Sequence, residues 1–253
     1  MDGRWDFYFL RVDGQPASIY LDLGWGGEAP PPAFPVMAYV RVLMRAPRPD
    51  GLSSQEEFDD LIAVEDRLVA ALTAGGAAIY VGRNTSGGCR DFYFYAPAGT
   101  AWEERASLAM GAMPDYRFQA GQRPDPEWSV YREFLYPGPR ERERMQNRSV
   151  CQALEHDGDA LSAPREIDHW ACFPDAATRD AFVRRAGELG FLLREQDDGD
   201  AEHPECMARI YRVDVPAREG IDEVCLPLFD LAEECGGHYD GWECPVVRAG
   251  EPA

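Results

Sequence analysis

The pattern of apolar and polar residues along the C-terminal half predicts strands and helices in a defined order. Four segments are typical of strands, over residues 166–173, 191–195, 206–215 and 238–247. A helix with Asp175 as its N-cap and Gly190 just past its end follows the first strand. A second helix, over about 219–235, follows the third strand and has the clearest 3.6-residue period of the chain.

This half therefore predicts the order β-α-β-β-α-β. Short connections and right-handed crossovers arrange such an order as an antiparallel sheet with strand order 4-1-3-2 and both helices on one face. This arrangement is the ferredoxin-like sandwich. Between the second and third strands, residues 197–205 are too acidic to form a buried element.

The N-terminal half predicts the same order behind an additional β-hairpin. The hairpin joins strands at residues 5–12 and 18–23 through the turn Asp13-Gly14. A proline-rich stretch, 29–35, separates it from the repeat. A helix opens at Ser53 or Ser54, with a capping box at Glu56 or Glu57. The remaining elements are strands at 36–44, 77–83, 90–95 and 116–120 and a helix near 101–111.

The sequence thus predicts an α+β protein of two tandem ferredoxin-like (βαββαβ) sandwiches, the first with an extra N-terminal hairpin. We expect a first domain over residues 1–137 and a second over 161–253. The segment 138–160 between them is expected to form a connecting helix that packs between the domains. Equivalent elements of the two halves lie about 113 to 128 residues apart, which suggests a duplication.

Composition adds a strong negative charge to this picture. The chain has 253 residues, 45 acidic residues and 25 basic ones, for a net charge of −20, and all the basic residues are arginine. Residues 1–140 carry 13 Arg and 19 acids, whereas residues 141–253 carry 12 Arg and 26 acids. A field of this sign repels the phosphates of nucleic acids and attracts basic surfaces. Direct binding of nucleic acid is therefore not expected.

Cysteine and histidine suggest three local metal-binding pairs: His169 with Cys172, His203 with Cys206, and Cys235 with His238. The first pair has opposite parity on one strand, so its side chains point to opposite faces. Cys235 lies on the apolar stripe of a helix, and the chain has no C-x-x-C motif. The sequence therefore predicts no metal site and no cofactor.

Motifs for covalent catalysis and phosphate binding are also missing: there is no G-x-S-x-G, no G-x-G-x-x-G after a strand and no Walker A loop. We expect no enzyme activity. One alternative is small-ligand binding or hydrolysis in a cleft between the domains, with a polar lining of Arg83, Arg90, Tyr93 and Tyr95. A second alternative is a structural module that associates with itself.

A sheet-face platform is a further expectation. In the predicted 4-1-3-2 order, Trp170 and Trp242 lie on neighbouring strands, with Arg212 on the other neighbour of the first strand. If they share the helix-free face, they form an open aromatic surface of the kind used to stack bases. The negative charge around them favours a protein partner, and packing on the first domain is the other interpretation.

From residue 164 onward the chain resembles the RraB family, the regulators of ribonuclease E activity. The resemblance rests on the segments 167–173, 187–191 and 235–243. The earlier segments 81–85, 89–95 and 125–128 resemble an uncharacterised bacterial domain of the DUF695 type. The resemblance implies an acidic ferredoxin-like module that binds the arginine-rich region of ribonuclease E and reduces RNA decay. It supplies no catalytic residue.

The implied role agrees with the distribution of carboxylates. Because an arginine-rich segment forms bidentate pairs with carboxylates, clustered acids would compete for it. We predict a non-catalytic regulator with an acidic partner-binding patch of Asp197, Asp198, Asp200, Glu202, Glu205, Asp230, Glu233 and Glu234. With no apolar stretch long enough for a membrane span and no signal peptide, a cytoplasmic location is expected.

Overall fold

The structure is a computed structural model that describes residues 3–200 and 204–248. The chain divides into two compact units, Met1–Pro137 and Gly138–Ala253. Each unit has its own antiparallel sheet, of six strands in the first and four in the second. The mixed α+β class predicted from the sequence is therefore confirmed.

The described part of the first unit contains six strands and two α-helices. In chain order they are β1 (Trp5–Val12), β2 (Gln15–Asp22), β3 (Val36–Leu43), α1 (Phe58–Thr73), β4 (Ile79–Ser86), β5 (Cys89–Ala96), α2 (Trp102–Met110) and β6 (Phe118–Pro124). The sheet order is β1-β2-β4-β5-β3-β6. The last four of these strands follow the predicted 4-1-3-2 order read in reverse, and β1 and β2 extend the sheet beyond β4.

The predicted hairpin turn at Asp13-Gly14 is present, a second one lies at Gly87-Gly88, and the backbone of both explains their sequences. Asp13 and Gly14 have φ values of 50° and 77°, and Gly87 and Gly88 have values of 55° and 77°. A two-residue turn with positive φ at both positions matches the twist of the strands it joins, and it favours Asp and Gly. These turns set the registers of β1 with β2 and of β4 with β5.

Only half of the predicted capping box of α1 is present: the Ser54 hydroxyl oxygen accepts a hydrogen bond from the Glu57 N–H at 3.3 Å. The helix begins at Phe58, and its N-cap residue Glu57 makes no side-chain capping hydrogen bond. The carboxylate of Glu57 instead accepts hydrogen bonds from the backbone N–H groups of Arg45 (2.8 Å) and Ala46 (2.7 Å). Glu57 therefore fixes the chain after β3, because a buried carboxylate needs nearby donors and these amides supply them.

Apolar side chains of α1 and α2 pack on one face of the first sheet. Leu61, Leu68 and Trp102 are fully buried there against Val40 and Phe94 of the central strands. The 3.6-residue spacing of apolar residues predicted this face of α1 correctly.

The opposite face of the first sheet is covered by the segment that follows β6. Trp128 is 2% exposed and stacks on Tyr95 with ring centroids 4.0 Å apart. The carboxylate of Asp125 accepts hydrogen bonds from the Tyr95 hydroxyl (2.7 Å) and from the N–H groups of Ser129 (2.8 Å) and Val130 (3.0 Å). Asp125 thus fixes the start of a π-helical segment, Val130–Leu135, against the sheet.

Within residues 138–200 and 204–248, the second unit contains four strands and three α-helices. They are α3 (Pro139–His156), β7 (Arg165–Phe173), α4 (Ala176–Glu188), β8 (Leu192–Asp197), β9 (Cys206–Asp214), α5 (Ile221–Glu234) and β10 (His238–Glu243). The strand order is β10-β7-β9-β8, which is the 4-1-3-2 order predicted for this half. The predicted N-cap is confirmed, since the side chain of Asp175 accepts from the Thr178 N–H at 2.9 Å.

The core of the second unit lies between its sheet and its helices. Ile167 of β7, Phe182 of α4 and Leu228 of α5 are fully buried in it. Cys151 and Leu154 of α3 belong to the same cluster, and α3 packs on α5 and β10. The expected connecting helix is therefore an integral part of this unit's core.

No helix in the described part of the chain is long and apolar enough to span a membrane.

The substitution Asp125→Ala tests the covering segment of the first unit. Burial acts to raise the pKa of Asp125, but hydrogen bonds from Tyr95, Val130 and Ser129 outweigh it and lower the pKa. We expect the substitution to lower the free energy of unfolding by about 1.5–3 kcal/mol, since hydrogen bonds to a charged group are lost. Urea unfolding monitored by tryptophan fluorescence measures this change.

Because the folded-state pKa is depressed, this contribution is present above the unfolded pKa and disappears as the pH falls through the folded value. The difference between wild type and variant should shrink on acidification. The exposed Asp115→Ala serves as the control and should change little. An equal effect of the two substitutions at neutral pH would contradict the assignment.

Candidate functional site

One end of the second sheet collects the residues that the sequence assigned to a partner-binding patch. The strand registers align Asp197, Met207, Cys172 and His238 in one row across all four strands. The β8–β9 loop starts at this row, and α5 leads back to it through Gly236-Gly237. The acidic loop and the C-terminal end of α5 therefore lie at the same end of the unit.

Seven of the eight predicted patch residues belong to the described part of the chain, and Glu202 lies outside it. Asp197, Asp198, Asp200 and Glu205 are exposed, as are Glu233 and Glu234, whereas Asp230 is half-buried. Two groups of carboxylates result, one in the loop and one on α5.

Arginine side chains of the same unit pair with part of this patch. Asp198 pairs with Arg179 (2.5 Å), Glu234 with Arg185 (2.5 Å), and Asp230 with Arg140. The carboxylates remain 78%, 60% and 44% exposed, respectively. Exposed ion pairs stabilise a protein by only about 0–1 kcal/mol, so an incoming guanidinium can replace the internal one.

Arg179 is a residue that the sequence reasoning missed. Its side chain is 3% exposed, and its Nη1 donates to the backbone carbonyl of Asp197 at 2.8 Å as well as to the Asp198 carboxylate. Its Nε and Nη2 donate to Asp180. Arg179 therefore fixes the start of the acidic loop on α4. In the sequence, only its position one turn after the N-cap Asp175 could have indicated that Arg179 lies near the acidic loop.

The predicted platform of Trp170, Arg212 and Trp242 is wrong. The pairing of β10 with β7 shifts between Tyr239 and Gly241, which places Trp242 opposite His169 on the core face. Trp242 is 5% exposed, and its Nε1 donates to Asn147 of α3 at 2.8 Å. An extra residue in one strand inverts the facing of all later residues, so a β-bulge separates the two tryptophans.

Arg212 is also absent from the Trp170 face. It pairs in register with the buried Ile167, and its guanidinium lies 4.2 Å from the ring centroid of Phe191. It also donates to the backbone carbonyl of Leu189 (2.8 Å) and to Asp214 (2.8 Å). Arg212 therefore closes the core at the other end of the sheet.

The helix-free face has a different lining from the predicted one. The guanidinium of Arg209 lies 4.8 Å from the ring centroid of Trp170, and that of Arg194 lies 4.1 Å from Tyr211. Both arginines donate to Asp168, at 3.0 Å and 2.6 Å. This face presents stacked cation–aromatic pairs that are bridged by a carboxylate.

Three possible metal ligands meet at the same row of the sheet. Cys172 and His238 are direct cross-strand partners on β7 and β10. Glu205, which precedes β9, lies beside them, and the ligand atoms of all three residues fall within 4.8 Å of one another. The sequence reasoning considered only pairs close in the chain and therefore missed this set.

Of the three pairs considered from the sequence, His169 and Cys172 lie on opposite faces of the sheet. His169 is 1% exposed on the core face, and its Nδ1 lies 2.7 Å from the Tyr239 hydroxyl, whereas Cys172 lies on the opposite face. Burial, followed by the charge of Arg212, lowers the pKa of His169 to about 3. His203 lies outside the described residues. His169 is therefore a neutral core histidine at physiological pH.

The ligand-lining residues proposed from the first unit divide between two faces. Arg83 and Arg90 lie on the helix-bearing face of the sheet, where they line a cavity of about 370 Å³. Tyr93 and Tyr95 alternate onto the other face, because β5 exposes successive side chains to opposite sides. The predicted set of four does not form one lining.

The matches to known protein families correspond to the two units of the chain. A family model described as "Family of unknown function (DUF695)" matches residues 3–136, and one described as "Regulator of ribonuclease activity B" matches residues 144–244. The protein is a two-unit α+β protein with one family match in each unit. Because the first match covers more than half of the chain, the chain belongs to the DUF695 family, and its second unit carries the RraB region. Both resemblances noted in the sequence are confirmed.

Among solved structures, a crystal structure of an unknown protein from Galdieria sulphuraria is similar to this chain. The identity is 14%, the match covers 81% of this chain and 95% of that chain, and the TM-score is 0.23. No curated protein matches the chain.

The substitution Glu143→Gln tests whether the carboxyl group of this α3 residue is buried in the second unit. Glu143 is 6% exposed, and burial, followed by the charge of Asp222, raises its pKa to about 7. Since the folded state holds this proton more tightly than the unfolded chain, stability falls as the pH rises from about 4.5 to 7. We expect the variant to be more stable than wild type by about 1–3 kcal/mol at pH 8.

This gain should disappear near pH 4, where the carboxyl group is neutral in both states. Urea unfolding at a series of pH values measures it. Glu188→Gln, on the exposed surface of α4, is the matched control and should show no such pH dependence. A constant difference at all pH values would rule out a buried, titrating Glu143.

Proposed function

We propose that the protein is a non-catalytic regulator of ribonuclease activity that binds a basic, arginine-rich segment of a ribonuclease E-type enzyme through the acidic end of its second unit. The RraB family region at residues 144–244 supports the regulatory role. The single observation that carries the proposed surface is the convergence of the β8–β9 loop and the end of α5 on one row of the sheet.

The electrostatic argument concerns competition for arginine. The patch already holds three of its carboxylates in pairs with Arg140, Arg179 and Arg185. The exposed carboxylates of Asp197, Glu205 and Glu233 add further negative charge to this surface. A segment rich in guanidinium groups would bind these acids directly and exchange with the internal arginines at little cost.

The fold supports a binding surface of this kind. We infer that each unit is a ferredoxin-like sandwich, on the basis of the β-α-β-β-α-β order and the 4-1-3-2 strand order in both sheets. In the second unit, this arrangement leaves one sheet end and one sheet face free of the unit's own helices. In this proposal the protein binds the ribonuclease in the cytoplasm, and neither nucleic acid nor a membrane is a direct partner.

Binding of a synthetic arginine-rich peptide to the full chain tests the proposal. Because exposed charges are screened over about 8 Å at physiological salt, we expect the affinity to fall at least tenfold between about 50 and 300 mM salt. The triple substitution Asp197→Asn, Asp198→Asn and Asp200→Asn should weaken binding at low salt by a similar factor and should slow association. Isothermal titration and stopped-flow fluorescence measure these effects.

A matched control changes the charge by the same amount on the first unit: Glu103→Gln, Glu104→Gln and Asp115→Asn, all at exposed positions. If this control weakens binding as much as the patch variant, net charge alone explains the interaction and the surface is misassigned. Salt-independent affinity would refute the electrostatic basis. Light scattering of the free protein tests the alternative of self-association.

A further inference from the structure

The cavity of the first unit is built from two rows of side chains that cross four strands. One row is Phe9, Ser18, Thr85 and Arg90, and the other begins with Phe7, Tyr20 and Arg83. Directly opposite residues of antiparallel strands point to the same face, so both rows form one continuous floor. The N-terminal hairpin β1–β2 supplies half of this floor.

A loop before α1 forms the wall of the cavity. Arg48, Leu52 and Ser53 line it, together with Phe58 at the start of α1. The loop is attached to the β4–β5 hairpin, since the Gly88 N–H donates to the Gly51 carbonyl at 2.9 Å. Gly51 has a φ of 81°, and a Cβ there would lie 2.8 Å from the Gly87 nitrogen, so the close approach requires glycine. The wall is therefore fixed to the floor.

The charges in this cavity are opposite to those of the whole chain. Three arginines, Arg48, Arg83 and Arg90, line it, and none of the lining residues, all of which belong to the described part, is acidic. Arg83 pairs with Glu65, and Arg48 pairs with Asp50 at 2.6 Å. In a chain with a net charge of −20, this concentration of cations is a local feature.

Of these three arginines, Arg90 is the one that forms no ion pair with a carboxylate of the described residues. It is 2% exposed, its Nε donates to the Thr85 hydroxyl at 3.1 Å, and its Nη1 has no hydrogen-bond partner among the described residues. Burial, followed by repulsion from Arg83, lowers its pKa to about 10, so it is still protonated at neutral pH. A buried guanidinium with a free donor is an established means of holding an anionic group.

We propose that this cavity binds a small organic anion, with its carboxylate, sulfonate or phosphate group on Arg90 and its planar apolar part against Phe7, Phe9 and Tyr20. The volume of about 370 Å³ falls in the range of small-molecule sites, and the lining combines these aromatic rings with three arginines. The site belongs to the DUF695 region and is separate from the ribonuclease-regulating role proposed above.

A panel of aromatic acids tests the site in the full chain. Naphthalene-2-sulfonate, phenyl phosphate and benzoate are each compared with a neutral aromatic counterpart and with inorganic sulfate, by calorimetry and ligand-observed NMR. We expect at least one aromatic anion to bind more than tenfold tighter than both its neutral counterpart and sulfate. Equal binding of the neutral compounds, or no anion-selective binding at millimolar concentrations, would overturn the proposal.

Two variant pairs locate the binding. Arg90→Met should reduce the affinity at least tenfold, whereas Arg132→Met, at an exposed position outside the lining, should not. If Arg90→Met fails to fold, Phe9→Glu places a negative charge at the mouth, where Phe9 is 54% exposed. Its matched control is Leu108→Glu, at an 82% exposed position on α2. The same affinity in Phe9→Glu and Leu108→Glu would exclude this cavity as the site.

A second inference rests on the independent cluster Cys172, Glu205 and His238. The Nδ1 of His238 lies 3.8 Å from Oε1 of Glu205, and the thiol of Cys172 completes a triangle whose sides are all within 4.8 Å. Tetrahedral zinc with bonds of about 2.0–2.3 Å keeps its ligands roughly 3.3–3.7 Å apart. Small side-chain rotations therefore bring these three atoms to coordinating distance.

The surroundings of the cluster also favour a cation. Glu205 brings a carboxylate to the cluster, and Asp240 follows two residues after His238 on β10. A divalent cation would compensate these negative charges and stabilise a Cys172 thiolate. Thiolate, imidazole and carboxylate together form a donor set typical of zinc.

We also propose that these three residues bind a zinc-class divalent cation, with its fourth position open to water or to a partner's side chain. Cobalt(II) added to the untagged, metal-free protein is the probe, since a thiolate ligand gives a charge-transfer band in the near ultraviolet. We expect one equivalent to bind with this band. Zinc should then displace the cobalt.

Cys172→Ser should remove the band, and His238→Ala should weaken cobalt binding at least tenfold. Cys89→Ser and His156→Ala, both elsewhere in the chain, are the matched controls and should behave as wild type. A band that survives Cys172→Ser, or cobalt that binds without a thiolate band, would refute the site.

Discussion

The register of antiparallel strands is the constraint on which both candidate surfaces depend. Side chains directly opposite one another share a face, and neighbours along a strand do not. Register therefore brings Phe9, Ser18, Thr85 and Arg90 to one cavity, although they lie up to 81 positions apart in the chain. It also places Cys172 beside His238. A shift of one residue would separate both groups.

In this acidic chain, many arginines form ion pairs with nearby carboxylates. Arg194 and Arg209 stack on aromatic rings and share Asp168, while Arg165 and Asp159 form a buried ion pair. Charges are not balanced in this way at the acidic end of the second unit or around Arg90 of the first unit. The acidic end has more carboxylates than cations, whereas Arg90 is a buried cation that forms no ion pair within the part of the chain that the structure describes. These differences suit them to partners of opposite charge.

Much of the fold could be predicted because it depends on local patterns. The hairpin turns, the N-cap at Asp175, the period of α5 and the order of strands in both sheets follow from residue type and spacing. The start of α1 could not be predicted correctly, since Glu57 has a capping sequence but hydrogen-bonds to the chain after β3. The bulge at Asp240 was also missed, and it moves Trp242 into the core.

By itself the sequence determined the class of fold, the negative charge of the second half and the two family resemblances. These features depend on composition, periodicity and short motifs, which can be identified without knowing which distant residues are in contact. Only the tertiary structure decided which side chains meet: the split of Arg83 and Arg90 from Tyr93 and Tyr95, the internal partners of the acidic patch, and the meeting of Cys172, Glu205 and His238. The physical reason is that facing and proximity depend on strand register across the sheet, and one inserted residue reverses them.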